Sequence, residues 1–359
     1  MNVRRSLARW SVPLGCLAAA VVMSVSITPA AAQSTNRVHP ECTEHVLNVR
    51  LADPGPAAFH LWGKLCQRRG SAPRTVQVLQ PGGTYNHTYW DSSYRGGIYS
   101  YVNAATAVGY ATFTFDRIGT GNSTIPPYAE MSLEGEAVAL HDVVTALRSG
   151  AVGSRPFSHV ITVGHSFSAG VGAVEAALYD DVDGYIHTGH AHIVTQTALD
   201  FLATANHEAN LDPKFAGRGL DGYLTTIPGT RGFYHSPRTS NAAIIALDEA
   251  NKEIHSSVEG QDIIDFTLPP TPADAITRQV TAPVLLMFGG EDAFFCGAGA
   301  FDCSDVEAIR AYEAPYWHAD AANVTFSVLP GVGHSIHVST AEPVAAIIML
   351  AWSWRIARP

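Results

Sequence analysis

Apolar positions along this chain fall into two kinds of run, and the two kinds alternate. Short apolar or β-branched stretches bounded by Gly, Pro, Asn or Asp read as strands. They lie at residues 43–51 and 57–65, which suit a hairpin, then at Thr75–Leu79, Tyr110–Phe115, His159–Val163 and Gly184–Thr188. Between them, Ser132–Arg148 places Leu133, Ala137, Leu140, Val144 and Leu147 on one helical face, and Ala169–Tyr179 reads as a second helix. From about His190 to Ile276 the alternation stops. Val194–Ala205 and Asn241–His255 look helical, the stretch Pro213–Pro237 between them is rich in Gly, Pro and Tyr, and strand signals are absent. Strand character returns at Pro283–Phe288 and Val324–Leu329, and Pro343–Trp352 closes the chain as a helix.

This order predicts an α/β fold: a mostly parallel sheet flanked by helices, with a helical cap inserted before the last two strands. Residues 33–189 and 277–359 then form the core, and residues 190–276 the cap. Sheets of this kind bind ligands beyond the carboxyl ends of their strands. Chemistry is therefore sought in the turns that follow strand ends.

Composition supports a sizeable core, with 47% hydrophobic and only 15% charged residues. A net charge of −10, with no basic run beyond the N-terminus, argues against nucleic acid as a partner. The first 32 residues stand apart. Arg4, Arg5 and Arg9 precede a mostly apolar stretch from Leu14 to Ile27, and Ala30, Ala31 and Ala32 resemble a cleavage site before Gln33. This predicts a signal peptide and a secreted, extracellular protein. Its removal takes away three arginines and moves the net charge from −10 to −13. The run Arg4-Arg5-Ser6-Leu7 also fits a loose twin-arginine signal, with a general secretory signal as the alternative. Ser24 and Ser26 interrupt the apolar stretch, which argues against a stable membrane anchor. Of five cysteines, Cys16 falls in the leader. The even remainder in an exported chain favours disulfides, by proximity Cys42 with Cys66 and Cys296 with Cys303. Free buried thiols are the alternative, and no Cys/His spacing fits a zinc site.

The segment from Val160 to Gly170 carries the sharpest chemical signal. A β-branched strand enters a corner of small residues with Ser166 at its tip, and a helix follows. Gly164 and Ser168 flank the serine at the positions that must be small; Ser168 stands where the usual Gly-x-Ser-x-Gly pattern has its last glycine. A serine hydroxyl is a weak nucleophile that needs an adjacent base, and the base needs an orienting carboxylate. Gly289-Gly290-Glu291-Asp292 and Gly331-Val332-Gly333-His334 each follow a strand end and supply Asp292 and His334.

With Ser166, Asp292 and His334 in that order, the chain resembles the α/β-hydrolase superfamily, in its capped esterase- and lipase-like branch, over roughly residues 55 to 355. The resemblance implies Ser166 as nucleophile, His334 as general acid/base and Asp292 as its partner. It also implies an oxyanion hole with the N–H of Phe167 as one donor. Pro81-Gly82-Gly83, running on to Trp90, resembles the superfamily's His-Gly-x loop with Pro81 in place of histidine. That makes Gly83 the second donor and leaves Thr84 open. Asp116 to Ser123 resembles the Asp-Arg-x-Gly-x-Gly-x-Ser loop, read as a structural brace. Trp90, His165, Tyr234 and Phe294 are candidates to line a substrate pocket; for His165 the other reading is that its side chain points away from Ser166 and packs behind the pocket. His187, His190 and His192 read as pocket or core residues, not metal ligands, and Glu291 is a weaker alternative to Asp292.

The expectation is an exported serine hydrolase that cleaves small-molecule carboxylic esters and uses no cofactor or metal. A secreted aminopeptidase or amidase with the same triad is the alternative; Glu208, Asp248 and Glu249 in the cap could hold a substrate amine. A non-catalytic binding member of the fold is the third reading. The chain carries no signal for its oligomeric state.

Overall fold

The computed structural model describes residues 39–318 and 323–359. The expected signal peptide, residues 1–32, lies outside the described residues. In chain order the elements are β1 (Glu41–Val49), β2 (Phe59–Gln67), β3 (Thr75–Gln80), α1 (Tyr101–Ala107), β4 (Ala111–Phe115), α2 (Leu133–Ser149), β5 (His159–His165), α3 (Phe167–Tyr179) and β6 (Gly184–Thr188). The inserted segment carries α4 (Gln196–Thr204), β7 (Asn206–Glu208), β8 (Tyr223–Thr226), α5 (Ala242–Asn251), β9 (His255–Ser256) and α6 (Ser257–Thr267). The chain then returns through β10 (Val284–Gly289), α7 (Val306–Glu313), β11 (Val324–Leu329) and α8 (Glu342–Ile356).

Eight strands form one sheet in the order β1-β2-β4-β3-β5-β6-β10-β11. β1 and β2 form the expected antiparallel hairpin, and β2 pairs antiparallel with β4. From β4 onward every pairing is parallel. Both faces of this parallel part are covered, so β3 to β6 and β10 are buried almost end to end, enclosing polar residues such as Gln77, Thr112 and Thr114 along with the apolar ones. Along β10, Val284, Leu286 and Phe288 enter the core beneath α2 and α3, while Leu285 and Met287 enter the core beneath α1 and α8. Each such side chain, fully withdrawn from water, contributes about 1.5–3 kcal/mol. Cys42 is disulfide-bonded to Cys66 across the β1–β2 hairpin, and Cys296 to Cys303.

Local signals account for the helix ends. Ser132 caps α2 by accepting from the Gly135 N–H at 3.0 Å, and Gly150 ends it in the left-handed region at φ 80°. The inserted segment departs from its helical expectation in two places. It contains a three-stranded antiparallel sheet, β7-β8-β9, whose strands of 3, 4 and 2 residues are too short to show a period of two. α5 stops at Asn251, short of the expected His255. Lys252 turns out of the helix and buries its ammonium against Asp212 at 2.7 Å, Glu249 at 2.7 Å and the Thr226 carbonyl at 2.8 Å. His255 therefore sits in β9. α6 went unread although Ser256 and Glu259 form a complete capping box, a signal present in the sequence.

Candidate active site

The turn between β5 and α3 has the shape that exposes a nucleophile. Ser166 adopts φ 54°, ψ −120°, a strained conformation for a residue with a Cβ. Close approach explains the glycine before it. A Cβ on Gly164 would lie 2.2 Å from the Ser168 carbonyl oxygen. Ser168 is itself fully buried, and its hydroxyl donates to the Pro81 carbonyl at 2.6 Å. The residue that departs from the glycine pattern thus ties the elbow helix to the loop after β3.

Two further turns bring the partners. Asp292 follows β10 and His334 follows β11. The His334 imidazole sits 2.9 Å from Ser166 Oγ through Nε2 and 2.9 Å from Asp292 Oδ2 through Nδ1. These turns can meet because Gly289 has no side chain; a Cβ there would lie 2.3 Å from the Gly333 carbonyl oxygen. Asp292 is fully buried, and its other oxygen accepts from the Phe294 N–H at 2.9 Å. Rings box the imidazole. Phe294 is 4.4 Å from it between centroids, His165 4.8 Å and Tyr234 5.8 Å.

Gly83 and Phe167 flank Ser166 on the cavity wall. Neither backbone N–H has a partner among the described residues. The loop carrying Gly83 and Thr84 is gripped by two fully buried arginines. Arg117 donates to the Gly83 carbonyl at 3.0 Å, lies 4.6 Å over the Phe167 ring, and pairs with Glu136 at 3.1 Å and Glu259 at 2.8 Å. Burial raises the Glu136 carboxyl to about 8, against the pull of Arg117. Arg231 donates to Thr84 Oγ1 at 2.9 Å and to Asp248 at 2.8 Å, and covers the rings of Tyr85 and Tyr234. The Glu253 N–H also binds the Thr84 carbonyl at 3.0 Å. Residues of the inserted segment thereby hold the loop after β3 directly. The sequence marks Arg117 only as a brace and carries no local sign of the roles of Arg231 and Tyr85 or of the Ser168 contact.

A cavity of about 450 Å³ opens at Ser166, roofed by Leu202 of α4 and Ile263 of α6 and walled by Tyr234, Phe294 and Phe295. Tyr234 and Phe294 thus stand where substrate contact was expected. Trp90 and His165 do not. Both are fully buried, and neither lines the cavity. The elbow turns consecutive side chains to opposite sides, so His165 points into the core and stacks on Tyr89 at 4.4 Å, with Trp90 behind Tyr89. Tyr85 reaches the cavity instead. Burial, reinforced by the neighbouring His334 and His337, holds His165 well below its ordinary value and keeps it neutral beside His334.

The remaining candidates are committed elsewhere. Asp248 bonds Arg231 and His235, Glu249 pairs with Lys252, and Glu208 is exposed on β7. Among the described residues no carboxylate lines the cavity. His187 bonds Tyr185 at 2.9 Å and His190 at 3.2 Å, His190 bonds Thr267 at 2.9 Å, and His192 bonds Glu313 at 2.8 Å. Burial lowers His187 to about 3 and His190 well below its ordinary value. Of the three, only His190 reaches the cavity. Asp116 is a brace, bonding the His87 ring and the Asn122 N–H.

A parallel sheet with a Ser-Asp-His constellation beyond its strand ends defines the α/β-hydrolase class. Residues 78–347 match the α/β hydrolase family, and the chain belongs to it. Solved structures agree in fold. A bacterial membrane phospholipase A superimposes with a TM-score of 0.57 at 16% identity, over 88% of this chain and 87% of that one. A thermophilic esterase from Thermogutta terrifontis gives 0.53 at 16% identity, over 88% and 99%. E-2-(acetamidomethylene)succinate hydrolase gives 0.51 at 17% identity, over 88% and 99%. No curated protein sequence matches significantly.

Proposed function

We propose that this chain is an exported serine hydrolase that cleaves carboxylic esters through an acyl-enzyme. The observation that carries the reading is the continuous chain from Ser166 Oγ through His334 to Asp292, both links 2.9 Å, opening on the cavity of about 450 Å³. His334 Nε2 takes the Ser166 proton as Oγ attacks the ester carbonyl. The N–H groups of Phe167 and Gly83 receive the oxyanion; the Gly82 carbonyl, in the same peptide as the Gly83 N–H, is held by the Tyr85 N–H, and Arg117 anchors the next peptide through the Gly83 carbonyl. His334 then protonates the leaving alcohol. Water repeats the cycle on the acyl-enzyme, with His334 again acting first as base and then as acid. The apolar walls suit an apolar acyl or alcohol group, and esterase neighbours in fold accord with this. An aminopeptidase would need a carboxylate facing the bound amine, and none lines the cavity. Export is supported by the leader-like residues 1–32 and by the two disulfides.

The test is a series of p-nitrophenyl esters of graded acyl length beside the matching p-nitroanilides. Ester turnover at least a hundredfold above anilide turnover is expected. Comparable rates on both would identify an amidase, and no turnover by folded protein would leave a binding role. Within this reading, Ser168→Ala should lower kcat about tenfold with little change in KM. It removes one buried hydrogen bond, worth about 1–1.5 kcal/mol, that positions the oxyanion loop. An unchanged kcat would show that the Pro81 contact is not needed to hold that loop.

A further inference from the structure

His141 on α2, Glu175 on α3 and Asp181 just beyond α3 converge away from the cavity, none of them lining it. Their ligand atoms all lie within 4.8 Å of one another. His141 Nδ1 is 3.0 Å from Asp181 Oδ2 and 3.9 Å from Glu175 Oε1. Neither contact is a hydrogen bond. His141 Nδ1, both oxygens of Glu175 and Asp181 Oδ1 are all buried without a hydrogen-bond partner. The Glu175 side chain is wholly buried. A fully enclosed carboxylate with no donor on either oxygen is a costly arrangement unless a charge of opposite sign sits against it.

We propose that His141, Glu175 and Asp181 form a binding site for one divalent transition-metal ion of the zinc or manganese type. One imidazole and two carboxylates suit such an ion, whereas magnesium and calcium favour oxygen ligands alone. An ion about 2.1 Å from each ligand would set neighbouring ligand atoms roughly 3–3.5 Å apart, near the shorter spacings here. The frame is rigid. Arg148 donates to the Asp181 carbonyl from Nε at 2.9 Å and from Nη2 at 2.6 Å, and the His141 ring stacks on Tyr179 at 3.7 Å. Arg50, paired with Asp142 and Asp53, is already neutralised nearby. His141 and Asp181 keep 20% and 25% of their side-chain surface exposed, so an ion can enter from solvent and water can complete its shell. The ion would clip α2 to the far end of α3, the helix that follows Ser166. This inference stands independently of the ester-hydrolase reading.

The experiment is calorimetric titration of chelator-treated protein with ZnCl2 and with MnCl2, alongside Tm in the same solutions. Wild type is compared with Glu175→Gln and with Asp181→Asn, the latter at the exposed rim where folding is least at risk. One ion per chain is expected in the wild type. Tm should rise by about 3–5 °C when the ion exceeds its Kd about a hundredfold. Both variants should bind at least tenfold more weakly and lose the Tm shift. No saturable binding to the wild type, or binding equally tight in both variants, would overturn the site.

Discussion

Ser166→Ala should lower kcat on a p-nitrophenyl ester by about 10⁵- to 10⁶-fold, a loss of about 7–8 kcal/mol of transition-state stabilisation. The size follows from what is removed. Without Oγ no acyl-enzyme forms, and the base, its carboxylate and the oxyanion donors are left acting on water alone. KM should change little, because the cavity walls are untouched. Stability should also hold. Alanine keeps a Cβ in the same strained conformation, φ 54°, so the elbow neither gains nor loses that strain, and only the 2.9 Å contact to His334 disappears. Progress curves with active-site-titrated wild type, together with thermal melts of both proteins, test this. Residual activity near wild type with an unchanged melt would remove Ser166 from the mechanism.

Asp292→Asn should lower kcat by about 10⁴-fold with near-native structure. Asp292 Oδ2 accepts the Nδ1–H of His334, which leaves Nε2 unprotonated and able to take the serine proton. An asparagine amide can donate there instead, favouring the tautomer whose Nε2 carries the hydrogen and cannot act as a base. Asp292 Oδ1 also accepts the Phe294 N–H, a bond asparagine can keep, so the turn should survive. The neighbouring carboxylate cannot substitute. Glu291 faces outward, bonded to Ser236 and Arg238, and the Ser236 hydroxyl and Arg238 guanidinium hold it below the ordinary range. A loss smaller than tenfold would mean that another group orients His334.

Each effect depends on features of different legibility. Ser166, Asp292 and His334 are readable because each sits one turn beyond a strand whose apolar run is unambiguous. Gly164 and Gly289 mark places where backbones approach too closely for a side chain. The hairpin, β3 to β6, β10 and β11 were readable from short runs rich in apolar and β-branched residues bounded by turn residues. The strands β7 to β9 were not, since two to four residues carry no period. Arg117 read only as part of a bracing loop, and Arg231 as an ordinary charged residue. Nothing local indicates that a guanidinium will be wholly buried and aimed at a loop 34 residues away in one case and 147 in the other.

Trp90 and His165 show the same limit from the other side. Their residue types suited a pocket, but the direction of a side chain from a strained turn is set by the backbone around it, and that direction leads into the core. Ser168 reads in the sequence as a flaw in a motif; in three dimensions its hydroxyl meets the Pro81 carbonyl and joins two loops. The sequence by itself determined the alternating layers, the strand-end positions of Ser166, Asp292 and His334 and the interruption before the last two strands, because these follow from periodicity and from steric rules acting over a few residues. The tertiary structure alone decided which side chains wall the cavity, which carboxylates are neutralised and which arginines hold the loop after β3, because those outcomes depend on pairings between distant segments that no local pattern encodes.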